Sequence, residues 1–286
     1  MPEKDITERH LESYNDVFAD IVNVLLFNGQ RRVLPDDLRD TQARTQYKAD
    51  GKLREQERDV SKLWTPEEIV ISLIGFENQT RIDRDMPLRV LGYEGADYRN
   101  QMSAKGDRYP VVTLVLYFGE EPWTGPRSLY ERTRVPEELK PFVSDHRINL
   151  FEISFLTDEQ TECFTSDFRI VADYFVQMRR NRDYVPSRQV VKHVDGVLKL
   201  LSALTRDRRF EDAQNQFREG ESVTMLSVLD KVEARGIRLG EARGIQLGRT
   251  EAARNLLRMG LDLTRIAEAT GLSLEEIQSL EKTESV

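Results

Sequence analysis

Two polar residues close an otherwise apolar run. Residues 69–80, IVISLIGFENQT, are β-branched and aliphatic until the run breaks into Glu77-Asn78-Gln79. Runs of this kind fit a strand buried on both faces. Side chains alternate along a strand, so Ile69, Ile71, Leu73, Gly75, Glu77 and Gln79 are expected on one face. A carboxylate and a carboxamide would then stand side by side at the end of a core strand. The bland alternative is a strand that simply emerges into solvent with a polar terminus. A second carboxylate, Asp59, comes earlier in the chain. If it opens a strand that pairs with the first across a turn at residues 64–68, it lies near the Glu77 end, provided register and loop cooperate. Asp59, Glu77 and the carbonyl of Asn78 would form a hard oxygen site suited to Mg²⁺. Such a cation acidifies a bound water and polarises a phosphoryl oxygen. Gln79 can orient that water but brings no positive charge.

Several elements are expected to position these groups. Residues 14–27 place Val17, Phe18, Ile21, Val22, Val24, Leu25 and Leu26 on a wide helical stripe, stopped by Asn28-Gly29. Glu12 and Asp16 fall at the start of that helix, where carboxylates suit its dipole. Residues 35–40 read as a turn or short helical piece. Residues 41–58 are strongly charged and broken by Asp50-Gly51, a turn signal. A helix is expected over 83–102 and a second doubly buried strand over 111–118, VVTLVLYF. Residues 148–155 read as a third core strand. Thr157 and Gln160 have capping-box spacing, so a long helix is expected from there to about Arg179, and another over 188–204. Strands alternating with helices make this region α/β: a mixed sheet flanked by helices, with residues 69–76 central and 111–118 beside them.

Past residue 204 the texture changes. Residues 205–221 are polar and read as a linker, and residues 222–286 as a helical tail. Gly236, Gly240, Gly244 and Gly248 recur at every fourth position of a charged, helix-forming segment. Each costs about 1 kcal/mol relative to Ala in a helix interior, so the row suggests close packing against a partner helix. Self-association, giving a homo-oligomer, is one expectation and a weak linker is the other. Leu263, Ile266 and Ala267, then Gly271, then Ser273 and Glu276 outline a helix-turn-helix pair. Glu275, Glu276 and Glu281 on the second helix do not suit an element that must enter a groove beside phosphates.

Composition limits the classes. An apolar fraction of 39% over 286 residues supplies a sizeable core, which argues against global disorder. With a net charge of −8, any role on nucleic acid needs a local basic patch or a metal ion. One cysteine, Cys163, allows no intrachain disulfide, and three histidines without ligand spacing argue against structural zinc. Neither an apolar leader nor a run of membrane-spanning length is visible, so a soluble cytoplasmic protein is expected.

The order Asp59 … Glu77-x-Gln79 resembles the PD-(D/E)XK nuclease signature, in the variant with Gln where Lys is usual. The segments YNDVFADIVNVLLF, ARTQYKADGKLREQERDV, FENQTRIDRDMPLRVLGY, RYPVVTLVLYFG and FRIVADYFVQMR are similar to those of the recombination-promoting nuclease (Rpn) family. The likeness covers residues 14–204, and the glycine-repeat tail with its helix pair is also typical. It implies a restriction-endonuclease-like fold and a bacterial Mg²⁺-dependent DNA endonuclease that promotes recombination. By position, Asp59 and Glu77 would bind the metal and Gln79 would take the Lys position. The absent Lys removes a cation expected near the scissile phosphate; Arg81 and Lys62 are candidate substitutes, and Asp16 or Glu12 are candidate further ligands. A catalytically inactive module for protein–protein interaction is the competing reading. A true transposase would be expected to show an acidic triad and a basic DNA-binding domain, and neither is evident.

Overall fold

A computed structural model of the protein describes residues 11–41, 44–49, 52–57, 60–74, 81–103, 107–205, 208–214 and 223–284. The chain divides into two compact units, Met1–Ser227 and Val228–Val286.

The first unit opens with a 3-10 turn, Leu11–Ser13, and helix α1, Asn15–Phe27. Val17, Phe18, Ile21 and Val22 are fully buried along α1, and Asn28 ends it in the left-handed conformation. The segment expected as a turn at 35–40 is a 3-10 turn, Pro35–Asp37, followed by a short strand, β1, Leu38–Asp40. The charged stretch beyond it contains a hairpin that its composition did not announce. Strands β2, Arg44–Ala49, and β3, Lys52–Glu57, pair antiparallel as a separate two-stranded sheet. Strand β4, Val60–Trp64, then turns back through residues 65–68 into β5, Ile69–Ile74. Helix α2, Met86–Ser103, leads to β6, Val111–Tyr117, and beyond a loop and helix α3, Leu129–Arg132, lies β7, Asn149–Glu152.

Five strands form the main sheet in the order β1-β4-β5-β6-β7. The β1/β4 and β4/β5 pairs are antiparallel, and the β5/β6 and β6/β7 pairs are parallel. Strand β5 is therefore central with β6 beside it, as two doubly apolar runs require. The sheet is mixed and flanked by helices, an α/β fold consistent with the nuclease-like expectation. On one face Met86, Val90 and Tyr93 of α2 pack with Val115 and Tyr117 of β6 and with Trp123 and Ile148. On the other, the Lys62 ammonium lies 5.7 Å from the Phe18 ring centre, and Trp64 meets Phe27 edge-on at 6.0 Å.

Three expected elements are shorter than their sequence pattern, each for a visible reason. Strand β7 stops at Glu152, and residues 153–155 turn into a 3-10 helix as Ser154 Oγ donates to the Phe118 carbonyl. The capping box at Thr157 and Gln160 forms, yet it opens only the short helix α4, Asp158–Glu162. Asp20 of α1 accepts hydrogen bonds from the backbone N–H groups of Thr165 (2.9 Å) and Ser166 (2.8 Å), which a continuous helix would have used itself. The helix resumes as α5, Phe168–Asn181. Asp167 similarly accepts from the N–H groups of Lys192 and His193. This holds residues 190–191 extended as β8, Val190–Val191, so that α6 runs only over Val194–Leu204. Within the stretch read as a linker, α7, Arg208–Gln214, buries Phe210 against Tyr174 with ring centres 5.3 Å apart. The first unit thus continues past Leu204, up to β9, Val223–Thr224, which pairs with β8.

The long helix α8, Met225–Arg258, spans the join of the two units. In the second unit α9, Leu263–Thr270, and α10, Leu274–Glu284, close a small core of Ala253, Ile266, Leu272 and Ile277. Gly271 makes the turn between them at φ +69°. Ser273 and Glu276 form the expected reciprocal cap, with Glu276 Oε2 accepting from Ser273 N at 2.8 Å.

Candidate functional site

Asp59, Glu77 and Gln79, the three residues that the sequence singles out, lie outside the described residues, as does Asn78. The frame that carries their segments is described. The hairpin that Asp59 needs is present: β4 pairs with β5 in the register Val60↔Leu73, Lys62↔Ile71, Trp64↔Ile69. Val60 follows Asp59 directly in the chain, and Glu77 comes three residues after Ile74, the last residue of β5. The start of β4 and the end of β5 share one edge of the sheet. Strand β6 runs parallel to β5 with Ile74 opposite Val115, so its carboxyl end leaves by the same edge.

Alternation sorts the side chains of this frame. Lys62 and Ile71 stand across from each other on the α1 side, while Ser61 and Ser72 share the α2 side. The serine hydroxyls lie 2.9 Å apart, and Thr41 Oγ1 donates to Ser61 Oγ at 2.8 Å. Both serines are almost fully buried, so this row satisfies its own polar groups and ties the strands together.

The basic candidates behave differently from one another. Lys62 is wholly buried, and its ammonium donates to Asp40, its cross-strand neighbour on β1. It sits three positions short of the end of β5, and its charge is paired with that of Asp40. Arg81 is exposed at the start of the segment that follows.

The acids of α1 are largely engaged in holding the fold. Asp16 accepts from Lys192 Nζ at 2.7 Å and faces His193 Nε2 at 3.1 Å, and the His193 ring stacks on Tyr14 at 3.7 Å. Burial works to raise the Asp16 carboxyl, but the hydrogen bonds and charges of Lys192 and His193 outweigh it, and the net effect is a lowered pKa. Asp20 is spent on residues 165 and 166 as described above. Glu12, in the preceding turn, is buried at 1% exposure.

Among the described residues, no group of three or more His, Cys, Asp or Glu is placed to hold a metal ion. The clefts on the first unit include two bordered by acids. One, of about 310 Å³, borders Asp16, Asp20, Asn23, Arg31 and Cys163. Its acids and Asn23 are already bound, the last to the backbone of Arg32 and Val33. The other, of about 600 Å³, opens where β6 ends, between Phe118, Tyr174 and Phe175, with Glu120 and Glu121 at its rim. Sequence reasoning did not find a further, partly buried pair, Glu94 of α2 and His146, 3.3 Å apart. Burial raises the Glu94 carboxyl above its usual range and nearby Asp97 adds to this, with His146 opposing. Nothing in the spacing of these residues could have disclosed the pair, because it is made by a helix meeting a loop more than fifty positions away.

No curated protein and no solved structure matches the chain. A family model matches residues 37–208, which take in every strand of the main sheet and the segments holding Asp59, Glu77 and Gln79. As that match spans more than half of the 286 residues, the chain belongs to the family described as "Putative transposase, YhgA-like", the recombination-promoting nuclease group with its PD-(D/E)XK-like core, which gives it a nuclease- or transposase-related role.

Proposed function

We propose that this protein is a Mg²⁺-dependent DNA endonuclease that hydrolyses phosphodiester bonds and thereby promotes recombination. Asp59 and Glu77 hold the cation, and Gln79 orients the attacking water. The observation that carries this reading is the β4/β5 register: Val60, the neighbour of Asp59, pairs with Leu73, and β5 runs from there toward Glu77. By chain connectivity alone, both carboxylates belong to segments leaving one edge of one sheet. The donor set fits the ion, since carboxylates and a backbone carbonyl are the hard oxygen ligands that Mg²⁺ takes. When bound, Mg²⁺ lowers the pKa of a coordinated water and offsets charge on phosphoryl oxygens. The Gln79 carboxamide can accept from that water through its oxygen and donate to a phosphate oxygen through its nitrogen.

The reading makes one structural demand. Counted along the described register, position 59 has the parity of Ser61 and position 77 that of Leu73, which are opposite faces of the sheet. Convergence requires that the chain depart from this alternation outside the two strands.

The test is nicking of supercoiled DNA with Mg²⁺ titrated, for wild type, Asp59→Ala, Glu77→Ala and Gln79→Ala. Wild type should cut only with the metal present. Both carboxylate variants should lose metal binding and cleavage while staying folded, because clustered acids repel when no cation is bound. Gln79→Ala should keep the metal and cut more slowly. Cleavage by Glu77→Ala at the wild-type rate would end the nuclease reading.

A further inference from the structure

The cleft of about 600 Å³ at the end of β6 has the size and make-up of a ligand site, and the proposed metal chemistry leaves it unused. Its walls are apolar or aromatic: Phe118 just past β6, Tyr174, Phe175 and Met178 of α5, and Leu204 at the end of α6. Two kinds of polar group interrupt them. Gly119 lacks a Cβ where one would collide with the Tyr117 hydroxyl, so the phenol lies against bare backbone. Burial raises that phenol above its usual range, and the charges of Glu152 and Glu121 add to this. At neutral pH it therefore keeps its proton and can donate. At the rim Glu120 is paired with Arg182, while Glu121 brings carboxylate oxygens that only accept.

The place of the cleft in the sheet narrows the ligand. Strands β5, β6 and β7 run parallel, and open α/β sheets hold ligands outside the carboxyl ends of such strands. Ile74, from which the chain runs on to Glu77, pairs with Val115, and Phe118 lies three residues beyond Val115. A ligand here sits beside the strand end that leads to the proposed site. A phosphate would meet carboxylates at the rim, and an organic cation would find half of the rim's charge already taken by Arg182. A neutral, flat, aromatic body edged with donors and acceptors meets neither objection, and a nucleobase is such a body. In a duplex both faces and the pairing edge of a base are occupied, so only an unpaired base can enter.

We infer that the cleft receives one unpaired base of the DNA strand being cut, held between the apolar walls. Glu121 accepts from an exocyclic amine, and Tyr117 donates to a ring nitrogen or carbonyl. Cytosine and adenine suit Glu121 better than thymine, whose one ring N–H stands between two carbonyl oxygens that repel a carboxylate. The inference rests on the nuclease reading for the choice of DNA as ligand, but its test does not need cleavage.

The full-length chain is titrated in metal-free buffer against a fluorescently labelled single strand and its duplex, and binding is read by anisotropy. Wild type should favour the single strand. Met178→Trp fills the cleft and should bind the single strand about tenfold more weakly, the loss of one stacked base, with duplex binding unchanged. Phe142→Ala, which removes an exposed ring outside the cleft, should bind as wild type does. Glu121→Gln should lower the preference for oligo-dC over oligo-dT. If Met178→Trp fails to fold by circular dichroism, Met178→Ala, which strips one wall, should show a loss confined to the single strand. The inference is overturned if wild type binds the duplex as tightly as the single strand, or binds neither. It is equally overturned if the variants at 178 bind as wild type does or lose both forms alike, or if Glu121→Gln keeps the dC preference. Displacement of the single strand by benzylammonium but not by cytidine would reassign the cleft to an organic cation. Cleavage in Mg²⁺ is scored separately. A wild type that holds single strands through the cleft but does not cut removes the nuclease reading and leaves the cleft. A wild type that cuts, with variants at 178 that bind and cut equally well, removes the cleft alone.

Discussion

Asp16 is a residue whose type suggested chemistry and whose surroundings assign it a structural task. Lys192 and His193 hold its carboxyl below the ordinary 3.8, against the opposing effect of burial. A carboxyl whose folded pKa is depressed stabilises the fold above its unfolded pKa, and that contribution disappears as pH falls through the lowered value. Asp16→Asn should therefore cost about 1–2 kcal/mol at pH 7, the range of a charge-assisted hydrogen bond discounted for partial exposure. The difference from wild type should shrink once pH drops below about 3.8, where Asp16 begins to protonate in the unfolded chain. Thermal melts of both proteins from pH 7 to pH 3 would check this, and a gap that persists unchanged to pH 3 would contradict it. Gln79 poses the converse question, because there the chemistry is proposed and the surroundings are not described. If Gln is a tuned substitute for the usual Lys, Gln79→Lys should fold and cut at a rate close to or above wild type, since it restores a cation beside the scissile phosphate. A large loss of cleavage, with metal binding kept, would mean that this site is built around a neutral group.

At the scale of elements, the parts that sequence made legible are those whose signal is carried within one segment. Strands β5 and β6 appear where continuous apolar runs put them, α1 where its stripe runs, and both capping boxes at their Thr and Ser residues. What was not legible is fixed by side chains reaching from elsewhere. Nothing in residues 157–179 says that Asp20, about 145 positions away, will take two of their N–H groups and split one helix into α4 and α5. Strand β1 is three residues long and exists because Leu38 pairs with Trp64. The β2–β3 hairpin was hidden by its composition, since residues 44–57 hold too few apolar residues to alternate with polar ones. The candidate site was legible only as residue types and spacing: Asp59, Glu77 and Gln79 lie outside the described residues, and what is described is the β4/β5 pairing next to them. The Asp20 anchor yields a direct test. Asp20→Ala leaves Thr165 N–H and Ser166 N–H without their acceptor in a partly buried loop and should destabilise the first unit by about 2–4 kcal/mol. Denaturant melts should show it; a change under about 0.5 kcal/mol, the size of an ordinary surface substitution, would mean that the loop finds other acceptors.

For the molecule as a whole, the division at Ser227 separates the proposed chemistry from the tail. The main sheet and all of the candidate residues lie in the first unit. In the second, α8 presents Ile237, Leu239, Ile245 and Leu247 at more than half exposure. Among the described residues, and apart from the chain neighbours and the adjoining backbone of the helix itself, no atom comes within 4 Å of where a Cβ would stand at Gly236, Gly240, Gly244 or Gly248. Replacing these four by Ala should strengthen the helix by about 3–4 kcal/mol in propensity, and nothing described opposes the added methyl groups. Yet a face of small residues at every fourth position is also what lets a second helix approach closely along the i, i+4 ridges. The two effects have opposite consequences for mass. If the row is only a weak helix, the fourfold Ala variant should melt higher and keep its apparent mass in light scattering. If the tail self-associates through that row, the variant should gain helicity and lose mass. Truncation after Ser227 should lower apparent mass in the same case while leaving Mg²⁺-dependent cutting per folded domain largely intact. Loss of cutting from a folded truncation would show instead that the tail completes the site, and the separation argued here would not hold.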